Sequence, residues 1–354
     1  MNYPILYWQD VEVGQELPAL EYDLTHLRLV AFLRATGLYD YVHFDREYAK
    51  AAGARDAFIS APHVSGLFSR FITDWTGPAG ELRSIRLQLK NQSCIGDTLR
   101  FTGRVTGKHV DASGAHLLDL QGLNLGHQHA PTAALLDATV RLPSKGQAPT
   151  AVATAPAPDI EATCDPEMPE QIRDLLGRER EIKLGQGQPV SAADIHLWCE
   201  ALEDWNPMYW DAGYATGTAT GGIVVPPTGR FFGIGSAANM GVGYMKPGTS
   251  IPEAIRQGKR DLELLKELRA EMIRANTPFT LPGYTEVAVV NAEHRYLNRL
   301  RPGQATRTFA RIVGCSAQKK SRLGEGYFVT WTESVRDLAD EVKTLSTLTG
   351  FFYR

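Results

Sequence analysis

No stretch of the 354-residue chain approaches the ~20 consecutive apolar residues of a membrane-spanning helix. Neither sign of charge is in excess: the net charge is −3. That balance gives no basis for expecting a nucleic-acid or membrane partner. Cysteine is scarce, with four residues (Cys94, Cys164, Cys199, Cys315) and no CxxC pair. The scattered spacing fits reduced cytoplasmic thiols better than a disulfide framework or a zinc site. The opening residues, MNYPILYWQDVEVGQELP, have no basic segment and no small-residue cleavage pattern, so no signal peptide is expected. The glycines of GIGSAANMGVG follow a helix-like run, not a strand, so they do not make a dinucleotide fingerprint.

What remains is ordinary globular material, 43% apolar and 22% charged. A chain this long usually divides into more than one core. The division falls in an Ala/Pro/Thr-rich segment without hydrophobic periodicity, PSKGQAPTAVATAPAPDIEATCDPEMPE. The expected organisation is a domain over 1–145, a linker over 146–165 and a domain over 166–354.

The two parts resemble each other. LTHLRLVAFLRATGLYDYVHFD (24–45) and VSAADIHLWCEALEDWNPMYWD (190–211) align without a gap at an offset of 166. Thr25 and Ser191 fall at the same position, each a suitable N-cap. Further on, GDTLRFTGRV (96–105) matches GQATRTFARI at an offset of 207. The growth in offset places an insertion over 233–282 in the second part, with IPEAIRQGKRDLELLKELRAEMIRAN expected as a helix covering or widening a pocket.

Each part reads as helix first, then strands. PHVSGLFSRFITDW puts Val64, Leu67, Phe68, Phe71, Ile72 and Trp75 on one helical stripe. Four alternating runs follow it, RSIRLQLKN, TLRFTGRV, AHLLDLQGLN and ALLDATVRL, and the second part has four of its own. GGIVVPPTGRFFGIG is expected to open the second part's central helix after Pro226–Pro227. A long apolar helix followed by an antiparallel meander implies α+β, a sheet wrapped on a helix, built twice. That is a double hot-dog.

Two runs carry a family resemblance. Thr36-Gly37-Leu38-Tyr39-Asp40-Tyr41-Val42-His43 and Leu202-Glu203-Asp204-Trp205-Asn206-Pro207-Met208-Tyr209 both resemble the motif of the MaoC-like, or (R)-specific enoyl-CoA hydratase, family. The pattern there is a small residue, Gly, Asp, x, Asn, Pro, an aliphatic residue and His. The first part is similar to the small subunit of the two-component steroid side-chain hydratases. VHFDREYAKAAGARDAF and FITDWTGPAGELRSIRLQL carry that likeness. The second part is similar to the large subunit's hot-dog region, through GGIVVPPT, LNRLRPGQ and KKSRLGEGYFVTWTESV.

The resemblance implies a carboxylate and an imidazole sharing one water, and a helix-start N–H on the thioester carbonyl. Neither copy is intact. The first keeps His43 but has Leu38 for the aspartate. The second keeps Asp204, Asn206 and Pro207 but has Tyr209 for the histidine. The expected catalytic residues are therefore His43, aided by Asp40 or by His63 at the long helix's start. Asp204, Asn206 and Tyr209 are expected to shape a substrate pocket, with Ser65 and Gly66 one turn into the helix. Arg301, Lys319 and Lys320 are the candidates for CoA phosphates.

The implied activity is hydration or dehydration of a bulky, steroid-like or polycyclic acyl-CoA. No separate cofactor or metal is expected, since CoA belongs to the substrate. The alternatives are a CoA thioesterase on the same fold and a non-catalytic acyl-CoA-binding subunit. The expected assembly is a homodimer or a complex with another acyl-CoA enzyme.

Overall fold

The computed structural model describes residues 3, 5–38, 40–125, 132–146, 157–182, 189–229, 279, 281–284 and 286–354. Residues 147–156 of the linker and all of the insertion except Phe279, Leu281 and Pro282 lie outside the described residues. So does the stretch beyond Gly229 where the second central helix was expected.

The first part runs β1 (Glu16–Asp23), α1 (His26–Thr36), α2 (Arg46–Ala51), α3 (Ala61–Thr76), β2 (Glu81–Leu89), β3 (Thr98–Val110), β4 (His116–Leu125) and β5 (Ala134–Arg141). The second runs β6 (Thr163–Cys164), α4 (Glu170–Arg173), β7 (Glu179–Ile182), α5 (Ala192–Leu202), α6 (Ala212–Thr216), β8 (Glu286–Tyr296), β9 (Thr306–Cys315), β10 (Lys319–Ser321), β11 (Gly324–Asp337) and β12 (Val342–Tyr353). The first part's strands lie in the order β1-β3-β4-β5-β2. The second part's lie as β7-β9-β11-β12-β8, the same order of equivalents. β2 and β8 pair antiparallel, Ile85 opposite His294 and Leu87 opposite Ala292, so one sheet runs through both parts.

Local chemistry accounts for the helices. Thr25 Oγ1 accepts from Arg28 N–H at 3.2 Å and starts α1. Ser191 and Asp194 form a reciprocal capping box that starts α5. Ser60 caps α3, and Pro62 sits in its first turn. Val64, Leu67, Phe68, Phe71 and Ile72 of α3 are buried against the first part's sheet, and Phe101 of β3 meets Phe68 edge-on at 4.8 Å. α1 packs on α5, with the equivalent residues Phe32 and Trp198 in ring contact at 5.3 Å. Each such fully buried side chain stabilises by about 1.5–3 kcal/mol.

The helix-first order needs correction. β1 precedes α1 and β7 precedes α5. In β1 only Leu17 and Tyr22 are buried, because the pairing register shifts between Leu17 and Leu20. A bulge of this kind hides the period-2 signal. The end of the Ala/Pro-rich linker also joins the sheet, as β6 beside β9.

Candidate active site

His43 closes a 3₁₀ turn, Tyr41–His43, just before α2. Its Nδ1 lies 2.8 Å from the Phe58 carbonyl. A carbonyl only accepts, so Nδ1 carries the proton, and in a neutral ring Nε2 is then the acceptor nitrogen. That is the tautomer a general base requires. Asp40 caps the same turn, its Oδ1 accepting from Val42 N–H at 3.4 Å. Leu38 points elsewhere. It packs on the second part's apolar cluster of Met168, Ile172, Phe279 and Trp331. A carboxylate at this half-buried position would lie against carbon on its inner side.

The helix-start residues have structural roles. The His63 imidazole is 1% exposed, stacked on Phe32 at 4.1 Å, with Nε2 3.3 Å from the Tyr22 hydroxyl. Burial holds its pKa down at about 3, with His43 and Arg28 adding to the effect, so it stays neutral. The ring that was expected to face a thioester as a second acid/base here faces Phe32 and Tyr22 and does not line the cavity described below. Ser65 Oγ donates to Ala61 O at 3.0 Å within its own helix. Gly66 lets α3 approach α5: a Cβ there would lie 2.6 Å from Leu202 Cδ1.

The second motif is built differently. α5 ends at Leu202, and Glu203 turns the chain in the left-handed region at φ 56°. Asp204 then returns, its N–H donating to Cys199 O at 2.8 Å. Its carboxylate accepts from Asn206 N–H at 3.1 Å. The Asn206 side chain accepts in turn from Met208 N–H at 3.1 Å. Asp204 is 1% exposed and makes no ion pair among the described residues. Burial raises its pKa to about 7; the Asn206 hydrogen bond opposes the rise, Asp74 adds to it and Arg70 offsets it. Tyr209 is also buried. Desolvation, then the nearby Asp204, pushes its phenol well above the usual range.

This second motif, not the first, borders the large cavity. The cavity measures about 1010 Å³ and is bounded by both parts. Thr73, Gly80 and Leu82 contribute from the first part; Asn206, Tyr209, Arg299 and Arg301 contribute from the second. Arg301 donates to the Thr220 carbonyl, and Arg299 pairs with Glu81 at 3.4 Å. Lys343, buried at the cavity wall, pairs with Asp337 at 3.0 Å and with Glu341. Of the expected substrate-binding residues, Asn206, Tyr209 and Arg301 line it. Asp204 does not line it but sits buried one layer behind Asn206 and Tyr209, and His43, Asp40, His63, Ser65, Gly66, Lys319 and Lys320 do not line it either; the two lysines lie on the β10 edge. Sequence reasoning missed Glu203, Arg70 and Lys343. Glu203 was detectable, because it occupies the position of Gly37 at the 166-residue offset.

A long helix held against a sheet, an equivalent sheet paired to it and two motif loops define a tandem hot-dog protein. No family model matches the chain. Over 94 residues it is 37% identical to the 3-oxo-4,17-pregnadiene-20-carboxyl-CoA hydratase β subunit of Mycobacterium tuberculosis. That match covers 27% of this chain and 73% of the subunit. It is 32% identical over 154 residues to a probable enoyl-CoA hydratase α subunit of Thermomonospora curvata. This second match covers 44% of this chain and 42% of that one, under half the subunit's length. In fold it is similar to a MaoC domain protein dehydratase from Chloroflexus aurantiacus described as putative, with TM-score 0.66, 12% identity and coverage of 99% and 98%. It is similar also to a double hot-dog protein of M. tuberculosis, with TM-score 0.60, 15% identity and coverage of 98% of each chain. The chain belongs to the MaoC-like enoyl-CoA hydratase family, in the branch of the steroid side-chain hydratase subunits, and is an enzyme of the hydratase kind.

Proposed function

We propose that the chain hydrates the enoyl thioester of a bulky acyl-CoA, steroid-like or polycyclic, or runs the reverse dehydration, with the acyl group in the cavity beside the second motif. The cavity carries this reading. At about 1010 Å³ it stands at the upper end of the ~300–1,000 Å³ typical of ligand sites. Hydration needs one group to take a proton from water as hydroxyl joins the β-carbon, and one to return a proton to the α-carbon. Burial raises the Asp204 pKa to about 7, which suits a group that both takes and returns a proton. Tyr209 stays protonated and serves as a donor beside it. Arg299 and Arg301 supply guanidinium groups suited to CoA phosphates. CoA is part of the substrate, and no further cofactor enters the scheme. The naming of relatives as α and β subunits supports assembly with a second copy or with another acyl-CoA enzyme.

The fixed tautomer of His43 favours a second reading, in which the first motif transfers the proton. The two motifs meet different parts of α3. His43 lies by Phe58, ahead of the start of α3, whereas Asp204 feels Arg70 and Asp74 in that helix's second half. α3 has 16 residues and so is about 24 Å long.

The test is incubation with a bulky enoyl-CoA and its saturated analogue, following product mass and free thiol. Gain of one water by the enoyl substrate alone is expected; thiol release from both would replace hydration with hydrolysis. Asp204→Asn is expected to slow hydration ~10²–10⁴-fold. Loss of rate in His43→Ala, with Asp204→Asn at the wild-type rate, would move the chemistry to the first motif.

A further inference from the structure

The 166-residue offset pairs Gly37 with Glu203 and Leu38 with Asp204. Both members of the first pair end a helix in the left-handed conformation, Gly37 at φ 70°, ψ 9° and Glu203 at φ 56°, ψ 36°. Glycine takes that conformation freely, while a side chain with a Cβ resists it. Among the described residues Glu203 and Asp340 alone combine a side chain with positive φ. Asp340 sits in the turn between β11 and β12, far in sequence from either motif, whereas Glu203 immediately precedes the motif carboxylate.

The Glu203 side chain is gripped from the first part on both oxygens. Arg28 Nη2 of α1 lies 2.5 Å from Oε1, and Arg70 Nη1 of α3 lies 3.3 Å from Oε2. Arg70 Nη1 also donates to the Leu202 carbonyl at 2.8 Å, closing the end of α5. Arg28 is itself held, through Asp23 O at 2.6 Å and the Tyr22 ring at 4.3 Å. A strained turn next to a reactive group, fixed by ion pairs from another element, is a device for orientation.

We propose that Glu203 is a positioning residue: the two arginines of the first part hold its carboxylate and thereby set the turn that places Asp204 behind the cavity-lining Asn206 and Tyr209. This rests on the reading of Asp204 as the water-handling carboxylate. Asp204 is faced by Arg70 and Asp74 from α3, by Cys199 from α5 and by Tyr209. Releasing Glu203 opens its turn to water and leaves Arg70 paired with Asp74 alone, and both effects favour the ionised carboxylate.

The test compares Glu203→Gly and Glu203→Gln with wild type and with Asp204→Asn in bulky enoyl-CoA hydration. Glycine suits the left-handed turn, so Glu203→Gly is expected to keep the wild-type melting temperature. Its kcat is expected to fall at least about tenfold with KM little changed, and the acid limb of its pH profile to move down by about half a pH unit or more. Glu203→Gln keeps the side chain's size and loses its charge; it is expected to shift in the same direction and carries the test should the glycine variant fail to fold. Glu203 variants within twofold of wild type, with an unmoved pH profile, while Asp204→Asn is slow, overturn the positioning role and leave the functional reading standing. Wild-type rates in Asp204→Asn overturn both.

Discussion

A carboxyl that reaches a pKa of about 7 by burial makes folding depend on pH in a direction opposite to the usual aspartate. The ordinary value is 3.8, and a rise to about 7 corresponds to about 4 kcal/mol, at ~1.4 kcal/mol per pH unit. Because the folded-state value is the higher one, the folded protein binds this proton more tightly. The contribution is fully present below pH ~3.8 and is lost as pH rises through ~7. Above pH 7 the native state must keep a charge in a site that is 1% exposed. Asp204→Asn keeps an oxygen to accept from Asn206 N–H and removes the titration. Its stability relative to wild type is therefore expected to improve by about 2–3 kcal/mol between pH 5 and pH 8.5, most of it gained before pH 8. His63, held neutral with a pKa of about 3, acts in the opposite sense. It costs stability as pH falls below ~6.5, equally in both proteins, so the difference between them isolates Asp204. Urea unfolding at several pH values measures it. A difference that stays constant from pH 5 to 8.5 would refute the argument, because Asp204 would then titrate alike in folded and unfolded chains. A variant more stable above neutrality yet slow in hydration is the expected trade at a site selected for chemistry.

Gly66→Ala places a methyl within 2.6 Å of Leu202 and is expected to destabilise by about 1–2 kcal/mol in urea unfolding, after allowing ~1 kcal/mol for alanine's better helix propensity. A variant at or above wild-type stability would show that α3 and α5 have room to spare. Leu38→Asp restores the family's aspartate to the first motif but puts it on the Met168–Trp331 cluster. It is expected to cost about 2–4 kcal/mol and to add no hydration, which calorimetry and the enoyl-CoA assay check together.

Much of the fold was legible because its signals are local. The N-caps Thr25 and Ser191, the apolar stripe of α3 and the alternation in β2 to β5 lie in single short windows. β1 was not legible, since its bulge breaks the alternation, and β6 was hidden in linker composition. The site divides in the same way. Asn206, Tyr209 and Arg301 were placed in a pocket from their motif and charge, and they line the cavity. The motif comparison weighted the first copy because it keeps a histidine. Which copy borders the cavity depends on how the parts pack, through α1 on α5 and β2 on β8, and no window of sequence records that. The same packing turns His63 inward, because the helix start that might have faced a thioester is covered by Phe32 and Tyr22.

The duplication also shows why the two losses are not equivalent. In the first copy the carboxylate position became leucine, and that leucine now belongs to the other part's apolar cluster. A carboxylate at this half-buried position would give up that apolar contact. In the second copy the histidine became tyrosine, a residue that still carries a hydroxyl, beside an aspartate that remains buried and protonatable near neutrality. Its glycine became Glu203, and the strain this introduced is matched by arginines from the first copy. The first part thus retains a direct hold on the second part's motif. Separating the two parts would release Glu203 and, with it, the geometry on which Asp204 depends.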